Sequence, residues 1–174
     1  AASAMDQAIA HLVSLGHEHI GLAVGPRRYV PAQRKEQGVR AAMDRRLSGH
    51  GKVTVSNTVF SVDGGAHAAV DLLGQGVSAI ICGSDLMALG AIRAVRAQGL
   101  SVPRDVSVIG SDDSALMRYT DPPLTSLHQD VGLISTMAVQ SLIGLVRGDA
   151  VFLRERLVRP ELVIRATTGP ARGA

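Results

Sequence analysis

Four short apolar runs in this chain each end in residues that can hydrogen-bond or stack. Ile20-Gly21-Leu22-Ala23-Val24 leads into Gly25-Pro26 and then Arg27, Arg28 and Tyr29. The run from Val53 ends on the ring of Phe60, and the run from Val77 to Cys82 is followed by Gly83, Ser84 and Asp85. Val106-Ser107-Val108-Ile109-Gly110 is followed by Ser111, Asp112 and Asp113. A flat aromatic face, a hydroxyl, carboxylates and nearby cations are the groups that hold a small polar molecule, such as a sugar or a nucleobase. A carboxylate directly after a buried strand needs a partner, because unpaired burial is costly. A ligand hydroxyl or an arginine can be that partner.

Each of these residues also has a structural reading. Asp85 directly precedes a helical apolar pattern and reads as a helix N-cap. One of Asp112 and Asp113 can cap the following turn. On pattern alone, Phe60 reads as core. Catalytic signatures are missing. Gly64-Gly65 lacks the third glycine and the lysine of a phosphate loop. His17 and His19 flank Glu18 without zinc-helix spacing, and a solvated turn is the plain reading. No Gly-x-Ser-x-Gly elbow occurs. Ser84, His128 and Asp112 can be drawn as a triad, but neither order nor context supports it. The chain reads as a binding protein and not an enzyme, with no metal and no cofactor.

The elements that must position these residues alternate. Ser3 can cap a helix carrying Met5, Ile9, Leu12 and Val13, which Gly16 stops. Strands are expected at Ile20–Val24, Val53–Phe60, Val77–Cys82 and Val106–Gly110. Helices are expected from Pro31 to Leu47, Ala66 to Leu73 and Asp85 to about Gly99. An irregular stretch containing Pro122-Pro123 follows. A long helix from about Asp130 to Arg147 and an extended segment around Leu162 to Arg165 close the chain. Strands separated by helices predict an α/β fold with a doubly wound parallel sheet and right-handed crossovers. Ligands bind outside the carboxyl ends of such strands, so the post-strand residues should converge on one crevice.

The bulk properties fit a globular domain. The chain has 174 residues, 46% hydrophobic and 19% charged, enough to bury a core. A net charge of +3 hints at nucleic acid. The basic residues are scattered, however, and aromatics are 2% with no Trp, so no base-stacking surface is expected. Cys82 alone makes no internal disulfide and reads as an inert core thiol. No apolar stretch is long enough for a membrane span, no signal peptide is visible, and a cytoplasmic setting is expected. The start at Ala1 without Met fits an excerpt of a longer protein.

Several segments together resemble the LacI-type (lactose-repressor-like) transcription regulators. They are His11 to Gly21, Gly25-Pro26 with Gly38, Ile81 to Ala91, Gly99 to Asp113, and Tyr119 to Asp130. The resemblance covers nearly the whole chain in order. It implies a periplasmic-binding-protein-like core of two Rossmann-like lobes, with a small effector in the cleft between them. Residues 1–128 would form the second lobe, 129–159 a helix and a strand of the first lobe, and 160–174 a final strand and tail. The resemblance implies homodimers, and operator DNA contacted only through an amino-terminal helix-turn-helix absent from this chain. By position, Asp112 would bind effector hydroxyls or ring nitrogens, Phe60 would stack on the effector, and Ser84 would line the pocket. Lys35 stands three residues before Gly38, where the family places an arginine, and Arg34 one residue earlier. Either can supply the basic contact, although lysine lacks the bidentate fork. The alternative is a periplasmic sugar-binding protein of related fold. Ile134, Met137, Ala138, Leu142, Leu145 and Val146 form an apolar stripe that would pack on the first lobe.

Overall fold

Runs of apolar residues too short for helices build one sheet in the computed structural model, which describes residues 2–147 and 161–173. The strands are β1 (His19–Val24), β2 (Lys52–Asn57), β3 (Ala79–Cys82), β4 (Ser107–Asp112), β5 (Thr125–His128) and β6 (Glu161–Val163). Their order across the sheet is β2-β1-β3-β4-β5-β6. The first five are parallel, and β6 runs antiparallel to β5. Central β1, β3 and β4 are buried on both faces, which is why their sequences are continuously apolar or small.

Helices cover both faces, as the doubly wound reading requires. Ile20, Leu22, Val24, Ile81 and Ile109 point into one core with α1 (Ala2–Ser14) and α2 (Val30–Leu47). Ala23, Ile80, Cys82 and Val108 point into the other, under α3 (Val62–Gly74) and α4 (Asp85–Ala97). This is the period-two alternation of a strand, read out as two layers. The α3–α4 pair is very close. A Cβ at Gly65 would fall 2.0 Å from the Met87 carbonyl oxygen, and one at Gly90 would fall 1.8 Å from that of Val62. Pro31 lies in the first turn of α2, where its missing N–H costs nothing.

Several expectations are corrected. α1 begins at Ala2, which places Ser3 within the helix and not at the position before it. β2 ends at Asn57, which leaves Phe60 in a loop, partly exposed rather than core. Asp85 is not the cap of α4. The Ser84 hydroxyl takes that role, accepting from Met87 N at 3.3 Å. His17 is buried, not part of a solvated turn. β5 and a single-turn 3-10 helix, Ala115–Tyr119, form where the sequence read as irregular.

After β6 the tail is stitched to the base of the sheet. Thr167 O accepts from Val108 N at 2.8 Å, and Thr167 Oγ1 donates to Val108 O at 2.7 Å and accepts from Thr125 N at 2.9 Å. Ala171 N reaches Leu15 O at 2.8 Å. His17 holds Gly169 O at 3.0 Å through Nε2 and Ser78 Oγ at 2.8 Å through Nδ1. A carbonyl only accepts, which assigns the proton of the neutral ring to Nε2. Burial, opposed by the Gly169 carbonyl, lowers the His17 pKa.

α5 (Val131–Arg147) has no buried residue, and its large apolar side chains face outward. The first-lobe strand expected within 129–159 falls on residues 148–160, outside the described residues. Among the described residues no helix is long and apolar enough to cross a membrane.

Candidate functional site

Because α2, α3 and α4 each follow a parallel strand, their amino ends all open onto the carboxyl edge of the sheet. Here lies a crevice of about 250 Å³, with Arg34, Lys35, Ser111 and Gln129 as its polar lining. Met5, Leu127 and Ile134 supply the apolar part. Arg34 makes no ion pair among the described residues.

Lys35 connects this crevice to the other candidate residues. Its Nζ donates to Gly83 O at 2.7 Å, just beyond β3. Burial lowers its pKa, while the carboxylate of Asp112 works in the opposite direction. The two side chains therefore share one electrostatic environment. Asp112 is an exposed residue, yet the protein around its carboxyl desolvates it enough to raise its pKa. The Lys35 charge pulls that pKa back down, and the Asp85 carboxylate adds to the rise.

Phe60 arrives from the loop after β2. Its ring lies over two glycines at the ends of β1 and β3. A Cβ at Gly25 would stand 2.0 Å from Cε2, and one at Gly83 would stand 3.1 Å from Cε1. Any side chain at Gly25 would occupy the space of the ring. One ring face packs on backbone, and the residue remains 43% exposed.

The loop after β4 is shaped by consecutive residues in the left-handed region, Asp112 at φ 105 and Asp113 at φ 52. Such backbone costs about 1–3 kcal/mol per residue and persists only where surroundings enforce it. Asp85, 3% exposed, is part of that enforcement. Its Oδ2 accepts from Ser114 N at 2.8 Å and Ser114 Oγ at 2.9 Å, and its Oδ1 accepts from Ser126 Oγ at 2.6 Å. Ser126 Oγ in turn accepts from Asp113 N at 3.2 Å. Gly110 makes room, since a Cβ there would fall 2.6 Å from Asp85 Oδ1. Asp113 turns away from the crevice, to Arg165 at 2.7 Å and His128 at 3.3 Å.

Of the residues singled out from sequence, Phe60, Lys35 and Asp112 meet at this edge, and Arg34 lines the adjoining crevice. The Ser84 hydroxyl is engaged in capping α4. With Ser84 so used and His128 paired to Asp113, the drawn Ser84–His128–Asp112 triad is not assembled. Ser111, expected among the post-strand residues, does line the crevice, whereas sequence reasoning did not find Gln129 or the bracing role of Asp85. A glycine inside the apolar run of β4, at 110, was the one signal for a buried group crossing there.

Comparison with known proteins agrees with this geometry. The model of the periplasmic binding protein-like domain matches residues 9–168. The HTH-type transcriptional regulator MalR of Streptomyces coelicolor is 47% identical over 175 residues, covering 98% of this chain and 51% of the regulator. The chain thus spans about half the length of the curated relatives it matches. A dimeric Lac repressor lacking 11 carboxyl-terminal residues superposes with a TM-score of 0.88 at 32% identity, over 98% of this chain and 62% of that one. The complex of the transcriptional regulator CelR with cellobiose gives 0.87 at 31% identity, over 95% and 51%. The chain belongs to the periplasmic binding protein-like domain family, and the proteins it is similar to are LacI-type transcriptional regulators.

Proposed function

We propose that this chain is the effector-sensing region of a LacI-type regulator and that its effector is a small polyhydroxylated molecule of the sugar class. The observation that carries this reading is the meeting of a stacked aromatic ring, Phe60, an ammonium, Lys35, and a carboxylate, Asp112, at one sheet edge. A sugar presents an apolar ring face and a rim of hydroxyls, and such a set of groups matches both. The similarity to a regulator solved with cellobiose supports the class. Arg34 contributes a second cation, and Ser84 stands where its backbone can border the ligand.

In this reading residues 1–128 and 160–174 make one lobe, and 129–159 belongs to a first lobe built mainly from elsewhere in a longer protein. The effector sits between lobes in a cytoplasmic homodimer. Operator DNA is contacted only by an amino-terminal helix-turn-helix. No catalytic step is assigned. The ligand alters operator affinity only by its differential affinity for two arrangements of the lobes. Regulators among the relatives favour this over a periplasmic binding protein. Calorimetry of the full-length protein against mono- and disaccharides, cellobiose and ribose included, tests it. Binding of one sugar, with a matching change in operator affinity, is expected. Turnover of the bound sugar, or no binding across the panel, would overturn it.

A further inference from the structure

We propose that Asp85 is a positioning residue for the ligand site: through Ser114 and Ser126 it holds the left-handed Asp112–Asp113 backbone that keeps the Asp112 carboxylate within the electrostatic reach of Lys35 at the sheet edge. The inference rests on the reading of Asp112 as a ligand contact, and it adds a residue that touches no ligand.

Three features carry it. Asp85 is a carboxylate buried at the first turn of α4, yet its hydrogen bonds go to the β4 loop and β5, not to its own helix, whose cap is Ser84. Burying an acid costs free energy unless donors surround it. Three donors do so here, and all come from chain beyond β4 or from β5. The bonds also fall on the strained segment itself. Ser114 N follows directly after the two positive-φ residues, and the Asp113 N–H is tied by way of the Ser126 hydroxyl. The ion pairs of Asp113 with Arg165 and His128 hold its side chain, while the ties to Asp85 hold the backbone N–H groups, and losing them frees Asp112 to relax toward negative φ and turn its side chain away. Finally, the sheet yields space to the carboxylate, since the inner strand β4 carries Gly110 at the one point where a Cβ would strike Asp85 Oδ1. A residue needed only to begin α4 would require neither the glycine nor the serine relay.

The test has one arm that needs no ligand. In Asp85→Asn the charge is lost and an amide donor replaces one acceptor, so the charge-assisted bonds from Ser114 and Ser126 are weakened or reversed. Hydrogen exchange of the full-length protein is expected to speed at least about tenfold at the amide of Ser114, which loses a charge-assisted bond, and at that of Asp113, whose Ser126 partner is no longer anchored. Amides within α4 should be unchanged. Ser126→Ala, which removes only the relay, should speed exchange at Asp113 and spare Ser114. The second arm uses cellobiose. Asp85→Asn should weaken its binding about tenfold or more, and the double variant with Asp112→Ala should bind no worse than Asp112→Ala alone, because both act through one carboxylate. A purely structural role lowers the melting temperature but leaves the affinity of the folded protein unchanged. Wild-type affinity in Asp85→Asn, or losses that multiply in the double variant, overturns the proposal. If the wild-type protein fails to bind cellobiose, the choice of that sugar is at fault and the exchange arm decides. Unchanged exchange at Asp113 and Ser114 in Asp85→Asn then overturns the positioning claim by itself.

Discussion

The ring of Phe60 fills the space that a side chain at Gly25 would need, with 2.0 Å between a Cβ there and ring carbon Cε2. The orientation of the aromatic face is therefore set by an absence of atoms one helix and one strand earlier in the chain. Gly25→Ala should drive the ring off its platform. The expected loss of affinity for the best-bound sugar is about the worth of one aromatic contact, roughly 0.5–1.5 kcal/mol. Phe60→Ala should lose as much, and the double variant no more than either. Calorimetry showing Gly25→Ala at wild-type affinity would remove Phe60 from the site.

Asp112→Ala should cost roughly 1.5–3 kcal/mol of binding, or about ten- to a hundredfold in affinity, the worth of a charge-assisted hydrogen bond. The pH dependence has a definite sign. Desolvation raises the Asp112 pKa, so the carboxylate begins to take up a proton above the usual carboxylate range. Affinity should be full near neutrality and decline as pH falls through that raised value. The decline should vanish in Asp112→Asn. A pH-independent affinity down to the acid limit of folding would argue against a carboxylate contact.

His17 links the tail to stability. Its pKa is lowered in the folded protein by burial, so the fold favours the neutral ring. The stabilisation is present above the unfolded value of about 6.5 and is lost as pH falls below it. His11 and His19 are shifted the same way by burial. The melting temperature should drop between pH 7 and pH 5, with His17 contributing a stability slope of at most about 1.4 kcal/mol per pH unit and the more exposed His11 and His19 less. His17→Gln should melt lower at pH 7 and show a shallower slope. An equal slope in that variant would place the acid sensitivity elsewhere.

How far this molecule can be read from its residues depends on where each element finds its partners. β3 was legible because Ile80-Ile81-Cys82 carries its reason locally, as a short apolar run between Gly76 and Gly83. β5 was not. Thr125 and Ser126 are polar and fully buried. Thr125 is satisfied by Thr167 and Arg165, some forty residues onward, and Ser126 by Asp85, as far back. No window on the sequence contains those partners. Asp112 and Lys35 were picked out by position and by resemblance. Asp85 was misread because its local pattern is a helix start, while the groups it binds lie across the sheet. His17 looked like a turn residue because its burial is produced by the tail.

These 174 residues alone should leave operator DNA unprotected, since no helix among those described is offered for the major groove. Residual binding should be weak and fall steeply with salt. A sequence-specific footprint from this chain by itself would contradict the assignment of DNA contact to another segment.

The outward apolar side of α5 should not stay in water. In a preparation of this chain alone, light scattering should give a mass above the 18.1 kDa of one copy. Burying a large side chain is worth roughly 1.5–3 kcal/mol, and Ile134, Leu142, Leu145 and Val146 offer several. Leu142→Glu should shift the population toward single copies. A wild-type monomer with α5 folded would refute this.

His128 and Glu161 lie opposite each other where β5 and β6 pair. Residues 129–160 therefore leave and re-enter through a doorway one strand pair wide, about 5 Å. The two crossing points are thus held in register by the β5–β6 pairing itself, so drawing them apart costs the hydrogen bonds of that strand pair.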